Sequence, residues 1–233
     1  LLRIQNYPTP RRITFGIEQP ADVRARILEC LPDGRYRFAV DDLQMVPSLP
    51  GRHTVYNALA AVAVGRIFQV PDMQIKQAIE TVAGAEHRLQ VIHRCGLTII
   101  DDAYNANPGS CAAALQTCAD MAASGRRIAV LGDMLELGSY AEAEHRRLAD
   151  QVVQLKLDAL FLAGELTRFT YARAKELGYT SVFHFPAREG LIESLKTFLR
   201  EGDVVLIKGS RAMGMEKIIE DLLAGEPPCS TIG

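Results

Sequence analysis

From Leu97 onward the chain alternates short apolar runs with helix-length amphipathic segments, and no other feature constrains its fold as tightly. The runs are LTIID, RIAVLG, DALFLAG, a weaker SVFHF and DVVLIKG, with helices expected to start near Ser110, Ala141, Leu166, Glu189 and Met213. Strand-helix alternation of this kind predicts an α/β, Rossmann-like unit, a mostly parallel sheet with helices on both faces joined by right-handed crossovers. Residues 11 to 46 follow a different rule. RRITFGIE, VRARILEC and YRFAVDDLQMV alternate with period two around a turn at Pro32-Asp33-Gly34, which predicts an antiparallel segment. Pro47 to Gly51 ends it, and HTVYNALAAVAVGRIF and a segment near Asp72 to Val82 read as two helices. The pattern changes around Ala85 to Gly96, where His87-Arg88 and His93-Arg94 interrupt the apolar spacing, so the domains are expected at 1–88 and 89–233.

Composition narrows the function classes. With 48% hydrophobic and 23% charged residues over 233 positions, there is ample material for a packed core. Lys and Arg number 26 against 28 Asp and Glu, and this near balance removes the simplest electrostatic case for nucleic acid. Apolar stretches such as Ala58 to Val64 fall far short of the roughly 20 residues of a spanning helix, so no membrane insertion is expected. Five cysteines (Cys30, Cys95, Cys111, Cys118 and Cys229) without CxxC spacing suggest neither a zinc site nor a disulfide framework, and a reducing cytoplasm is the expected location. Cys111 and Cys118 share a helical face and read as core. The chain opens on Leu1 and runs directly into strand-like sequence, as expected of a fragment of something longer; Pro8 and Pro10 fit a linker or an altered end.

In open parallel sheets, ligands bind beyond the carboxyl ends of the strands. Here those ends carry Asp101-Asp102-Ala103-Tyr104-Asn105-Ala106-Asn107-Pro108-Gly109-Ser110, Gly132-Asp133-Met134-Leu135-Glu136-Leu137-Gly138, Gly164-Glu165 and Lys208-Gly209-Ser210-Arg211. A carboxylate such as Asp102 can accept two hydrogen bonds from vicinal ribose hydroxyls, and the amides of Asn105 and Asn107 can satisfy a base. Equally, these side chains can form an Asx-turn and cap the helix beside Ser110. The backbone N–H groups and two cations of Lys208 to Arg211 suit a carboxylate or phosphate, or else simply open a helix in solvent. Adjacent carboxylates on a strand face opposite ways, which argues against a metal there. His53 and Asn57 share a face with Thr54 beside them and form either a small polar constellation or, through Thr54, a helix cap, and His145, within AEAEHRRLAD, is expected to be solvated. Neither GxxxxGK[ST] nor GxGxxG occurs.

Gly51-Arg52-His53-Thr54-Val55-Tyr56-Asn57-Ala58-Leu59-Ala60-Ala61, His87-Arg88, DDAYNANPGS, VLGDMLELG and VLIKGSRAMGME, in this order, resemble the Mur ligases of peptidoglycan synthesis. DDxYNANPxS with GDMLELG is most similar to the members that join D-alanyl-D-alanine to UDP-N-acetylmuramoyl-tripeptide. The resemblance implies the end of a P-loop-type central ATPase domain followed by a complete C-terminal domain. It also implies an acyl-phosphate mechanism using ATP and Mg2+, the magnesium and phosphate ligands lying mainly upstream, and a monomer. By the same resemblance Arg88 reaches ATP, Asp102 holds its ribose, and Tyr104, Asn105 and Asn107 form the surrounding loop. Asn57 lies near the adenine, with Thr54 where the family pattern has another asparagine. Ser210 and Arg211, with Lys208, would meet the dipeptide carboxylate, and Asp133 would lie near its amine. Other Mur-type amino acid ligases and a non-catalytic nucleotide-binding module are the alternatives.

Overall fold

The computed structural model describes residues 12–224; Pro8, Pro10 and Cys229 lie outside them. The chain forms two compact units, one from 12–30, 35–48 and 52–82, the other from 31–34, 49–51 and 83–224.

In the first unit, β1 (Phe15–Gly16), β2 (Val23–Cys30), β3 (Tyr36–Val40) and β4 (Leu43–Met45) form a sheet in that order, with α1 (Arg52–Ile67) and α2 (Asp72–Thr81) following. Alternation in VRARILEC turns Val23 and Ala25 inward to Phe38, Val40 and Met45, and the small side chains of α1 let Val55, Leu59 and Val62 pack into the same core. Two expectations change here. RRITFGIE yields only the two-residue β1, and it pairs parallel to β2, with Phe15 opposite Val23. The Asp22 carboxylate fixes this start by accepting from Thr14 N–H at 2.7 Å and Thr14 Oγ1 at 2.6 Å. YRFAVDDLQMV is two strands rather than one, because Asp41 takes φ +52° and Val40 pairs with Leu43 across a two-residue turn. Asp tolerates that left-handed backbone better than most residues.

The second unit holds a six-stranded sheet of β5 (Gln90–Arg94), β6 (Leu97–Asp102), β7 (Arg127–Gly132), β8 (Ala159–Ala163), β9 (Val182–Phe185) and β10 (Val204–Lys208), ordered β5-β6-β10-β7-β8-β9. All neighbours are parallel except β5 and β6. The polar edge strand β5, where the sequence suggested an interruption, joins β6 through Cys95 and Gly96, both with positive φ, the turn that matches strand twist. Helices α3 (Pro108–Asp120), α4 (Ala141–Gln154) and α5 (Thr167–Glu176) pack Cys111, Cys118, Leu148 and Ala174 against Ile100, Leu131 and Leu206 on one face. Helices α6 (Arg188–Phe198) and α7 (Glu216–Ala224) cover the other, with Leu191, Leu195 and Ile218 on Ile99, Val130, Phe161 and Ile207. Burial pushes the thiols of Cys111 and Cys118 up to about 11 and about 12, as inert core groups require.

At the amino-terminal end of the sheet, Arg126 grips buried Asp203 at 2.6 Å and lies over the Phe198 ring at 4.1 Å. That end is closed by ion pairing. The opposite end holds the polar residues singled out in the sequence.

Candidate active site

Strand β10 returns last and inserts between β6 and β7, while the chain leaves β6 and β7 toward one face and β10 toward the other. Crevices open where successive connections part in this way, so the carboxyl ends of these three strands bound the candidate site. Their close approach needs glycine. A Cβ on Gly209 would stand 2.6 Å from Met215 Cγ and 3.2 Å from Gly132 Cα.

Asp102 and Lys208 occupy register partners on β6 and β10. Lys208 Nζ donates to Asp102 Oδ2 at 2.6 Å and to the Asn105 carbonyl at 2.7 Å, with only 2% of Lys208 exposed. The other Asp102 oxygen accepts from Leu89 N–H at 3.2 Å. One buried cation therefore neutralises Asp102 and ties the following loop to the sheet. Asp101 points the opposite way, as strand alternation requires, and lies 2.8 Å from His87 Nδ1, a pairing the sequence reading did not identify. The signal available was the apolar LTII run placing successive aspartates on opposite faces.

Asp133, 5% exposed, follows β7 and binds backbone. Its carboxylate accepts from Glu165 N–H at 3.0 Å and Thr167 N–H at 2.8 Å, and its carbonyl accepts from Ser210 N–H at 3.0 Å. Ser210 Oγ in turn accepts from Leu135 N–H at 2.8 Å. The ends of β7, β8 and β10 are thus linked by hydrogen bonds. His145 corrects the sequence expectation: it is fully buried, its Nε2 accepting from Met134 N–H at 3.1 Å and its Nδ1 facing the Ala141 carbonyl at 2.7 Å. It shares the buried stripe of Leu148, Ala149 and Val152, a helical spacing that the charged neighbours obscured.

The rim is cationic and aromatic. Arg88 lies over the half-exposed Tyr104 ring at 4.2 Å, and Arg211 approaches the same ring at 6.0 Å, so three of the expected site residues converge. Arg211 also pairs with Glu216 at 3.2 Å. Asn107 is the N-cap of α3. Its Oδ1 accepts from Ser110 N–H at 2.9 Å and Ser110 Oγ accepts from Asn107 N–H at 3.1 Å, so for this side chain the capping alternative describes the structure. Asn105 is exposed, its Oδ1 meeting Ala106 N–H at 2.8 Å.

Thr54, buried, and Asn57, exposed, lie on α1 in the first unit, and the other expected residues belong to the second. Among the described residues no group of three or more His, Cys, Asp or Glu side chains could hold a metal. Nor is any described helix long and apolar enough to cross a membrane.

The Mur ligase, glutamate ligase domain family matches residues 87–211, the stretch that contains the strand-end cluster. A UDP-N-acetylmuramoyl-tripeptide--D-alanyl-D-alanine ligase of Bacillus subtilis (strain 168) is 32% identical over 231 residues, 97% of this chain and 50% of that protein. The enzyme of the same name from Treponema pallidum (strain Nichols) is 38% identical over 181 residues, 76% of this chain and 38% of its own length. Among solved structures, a crystal structure of MurF from Acinetobacter baumannii aligns with a TM-score of 0.81 at 29% identity, covering 91% of this chain and 47% of that one. The chain spans half or less of the length of these relatives.

Proposed function

The chain belongs to the Mur ligase family, and from that premise we propose that it is part of an ATP-dependent ligase joining D-alanyl-D-alanine to UDP-N-acetylmuramoyl-tripeptide in the cytoplasm. Residues 1–88 would be the end of the central ATPase domain and 89–233 the C-terminal domain. The phosphate-binding loop and magnesium ligands would come from the length of the relatives that this chain does not span. In the reaction, a substrate carboxylate oxygen takes the γ-phosphoryl group as ADP leaves. The dipeptide amine then attacks the acyl carbon, losing a proton as phosphate departs.

The observation that carries this reading is the convergence of Arg88 and Arg211 on the Tyr104 ring, Tyr104 and Arg211 standing in the segments that follow the strand ends joined by Asp102 and Lys208. Negative charge grows on the transferred phosphoryl group and then on the tetrahedral carbon, so a rim of fixed cations is what the chemistry requires. Arg88, Tyr104, Asp102, Asn105 and Asn107 would serve the nucleotide, with Asn57 and Thr54 near the base. Lys208 would act through Asp102 and the Asn105 carbonyl. Ser210 and Arg211 would hold the dipeptide carboxylate, with Asp133 organising the loop near the amine.

In the full-length protein, ADP release should depend on both UDP-N-acetylmuramoyl-tripeptide and D-alanyl-D-alanine; release driven equally by a single amino acid would shift the reading to another Mur-type ligase. Arg211→Ala should raise the KM for the dipeptide about tenfold or more, a loss of about 1.4 kcal/mol, with the KM for ATP unchanged. A dipeptide amide, lacking the carboxylate charge, should lose little further on this variant. Equal losses for both ligands would make Arg211 structural.

A further inference from the structure

Resting on that reading, we propose that His145 is a positioning residue for the acceptor side of the site, its neutral imidazole holding the loop 133–137 in the register that Ser210 and Asp133 require. The loop has no repetitive structure of its own, so its backbone groups must be satisfied from elsewhere. Two side chains do this: Ser210 accepts Leu135 N–H and His145 accepts Met134 N–H, while the Asp133 carboxylate ties the loop to the segment after β8 by accepting two N–H groups from it. Because an N–H donor faces Nε2, that nitrogen must be the unprotonated one, and Nδ1–H donates to the Ala141 carbonyl.

The residue that carries the imidazole is itself held through its backbone and its packing. Thr170 Oγ1 of α5 donates to the His145 carbonyl at 2.8 Å, Leu148 and Ala149 lie beside it in the same core stripe, and Met134 is itself fully buried. The bonded residues run from α5 through His145 and Met134 to Leu135 and Ser210, the last expected at the dipeptide carboxylate. A shift of Met134 would move Leu135 N–H off Ser210 and loosen that end while leaving the Asp102–Lys208 pair, which joins β6 to β10 within the sheet, in place. The effect of losing His145 should therefore fall on the acceptor and spare the nucleotide.

Amide exchange and 15N spectra of this chain, with steady-state kinetics of the full-length protein, test this through His145→Leu and His145→Gln. The unsubstituted chain should show a neutral His145 protonated on Nδ1; protonation on Nε2 would overturn the assignment. In His145→Leu the Met134 and Leu135 amides should exchange at least tenfold faster than the core amides of β6. The KM for D-alanyl-D-alanine should rise about tenfold while that for ATP stays within about twofold. His145→Gln, whose Oε1 can accept Met134 N–H, should recover most of both. Unchanged exchange at Met134, or equal rises in both KM values, would refute the role, and if His145→Leu does not fold, the Gln variant and the 15N spectrum decide. A full-length protein that ignores the dipeptide would sink the ligase reading and leave the exchange result standing.

Discussion

At the scale of single residues, the candidate site side chains are held by one buried ion pair and by backbone hydrogen bonds. Lys208 is 2% exposed and commits its ammonium to Asp102 and the Asn105 carbonyl. Removing one partner of a buried pair leaves an uncompensated charge at a cost of about 3–5 kcal/mol. Lys208→Met should therefore lower the stability measured by urea denaturation by about that amount, and Asp102→Leu with Lys208→Met should cost clearly less than the two single changes summed. Additive losses would show that the pair is not coupled. His145 supplies a pH dependence. Burial lowers its pKa, so the unfolded chain binds its proton at a higher pH than the folded one. Its contribution is complete above the ordinary histidine value of about 6.5 and is lost as pH falls through that value toward the lowered one, so stability rises with pH across this window. Melting temperatures of the parent and His145→Gln should converge as pH falls, and parallel profiles would exclude the assignment. None of this pairing is visible in the sequence, since Asp102 and Lys208 meet only because β10 inserts beside β6.

At the scale of elements, apolar content decided what could be read. Buried β6, β7, β8 and β10 stand out as runs, and their strand-end loops could be located to the residue. The edge strand β5 and the short β1 could not. Each is half exposed or only two residues long, and register comes from turn geometry at Cys95-Gly96 and from the Asp22 bonds to Thr14. Helix α3 shows how a motif can carry two meanings. In DDAYNANPGS, Asn107 and Ser110 form a reciprocal cap around Pro108 while Tyr104 faces the rim. Asn107→Ala should destabilise the chain by about 1 kcal/mol, the usual loss of a cap, in a denaturation experiment. A loss near zero would return Asn107 to an exclusively ligand-facing role.

At the scale of the whole molecule, the 233 residues carry no phosphate-binding loop motif, because GxxxxGK[ST] occurs nowhere among them. By itself the chain should release no ADP from ATP above a blank, even with D-alanyl-D-alanine present; release dependent on the dipeptide would refute the division of the site proposed above. The sequence determined the α/β class, the strand ends where chemistry gathers and the family, because burial imposes periodic apolar spacing and short motifs survive as linear strings. Only the tertiary structure decided that Asp102 and Lys208 neutralise each other, that Asp133, Ser210 and His145 fasten one loop, and that Arg88 and Arg211 share the Tyr104 ring. The widest of those pairings join residues more than 100 positions apart, as Lys208 and Asp102 are at 106, and their energies depend on distance in space, which no local pattern encodes.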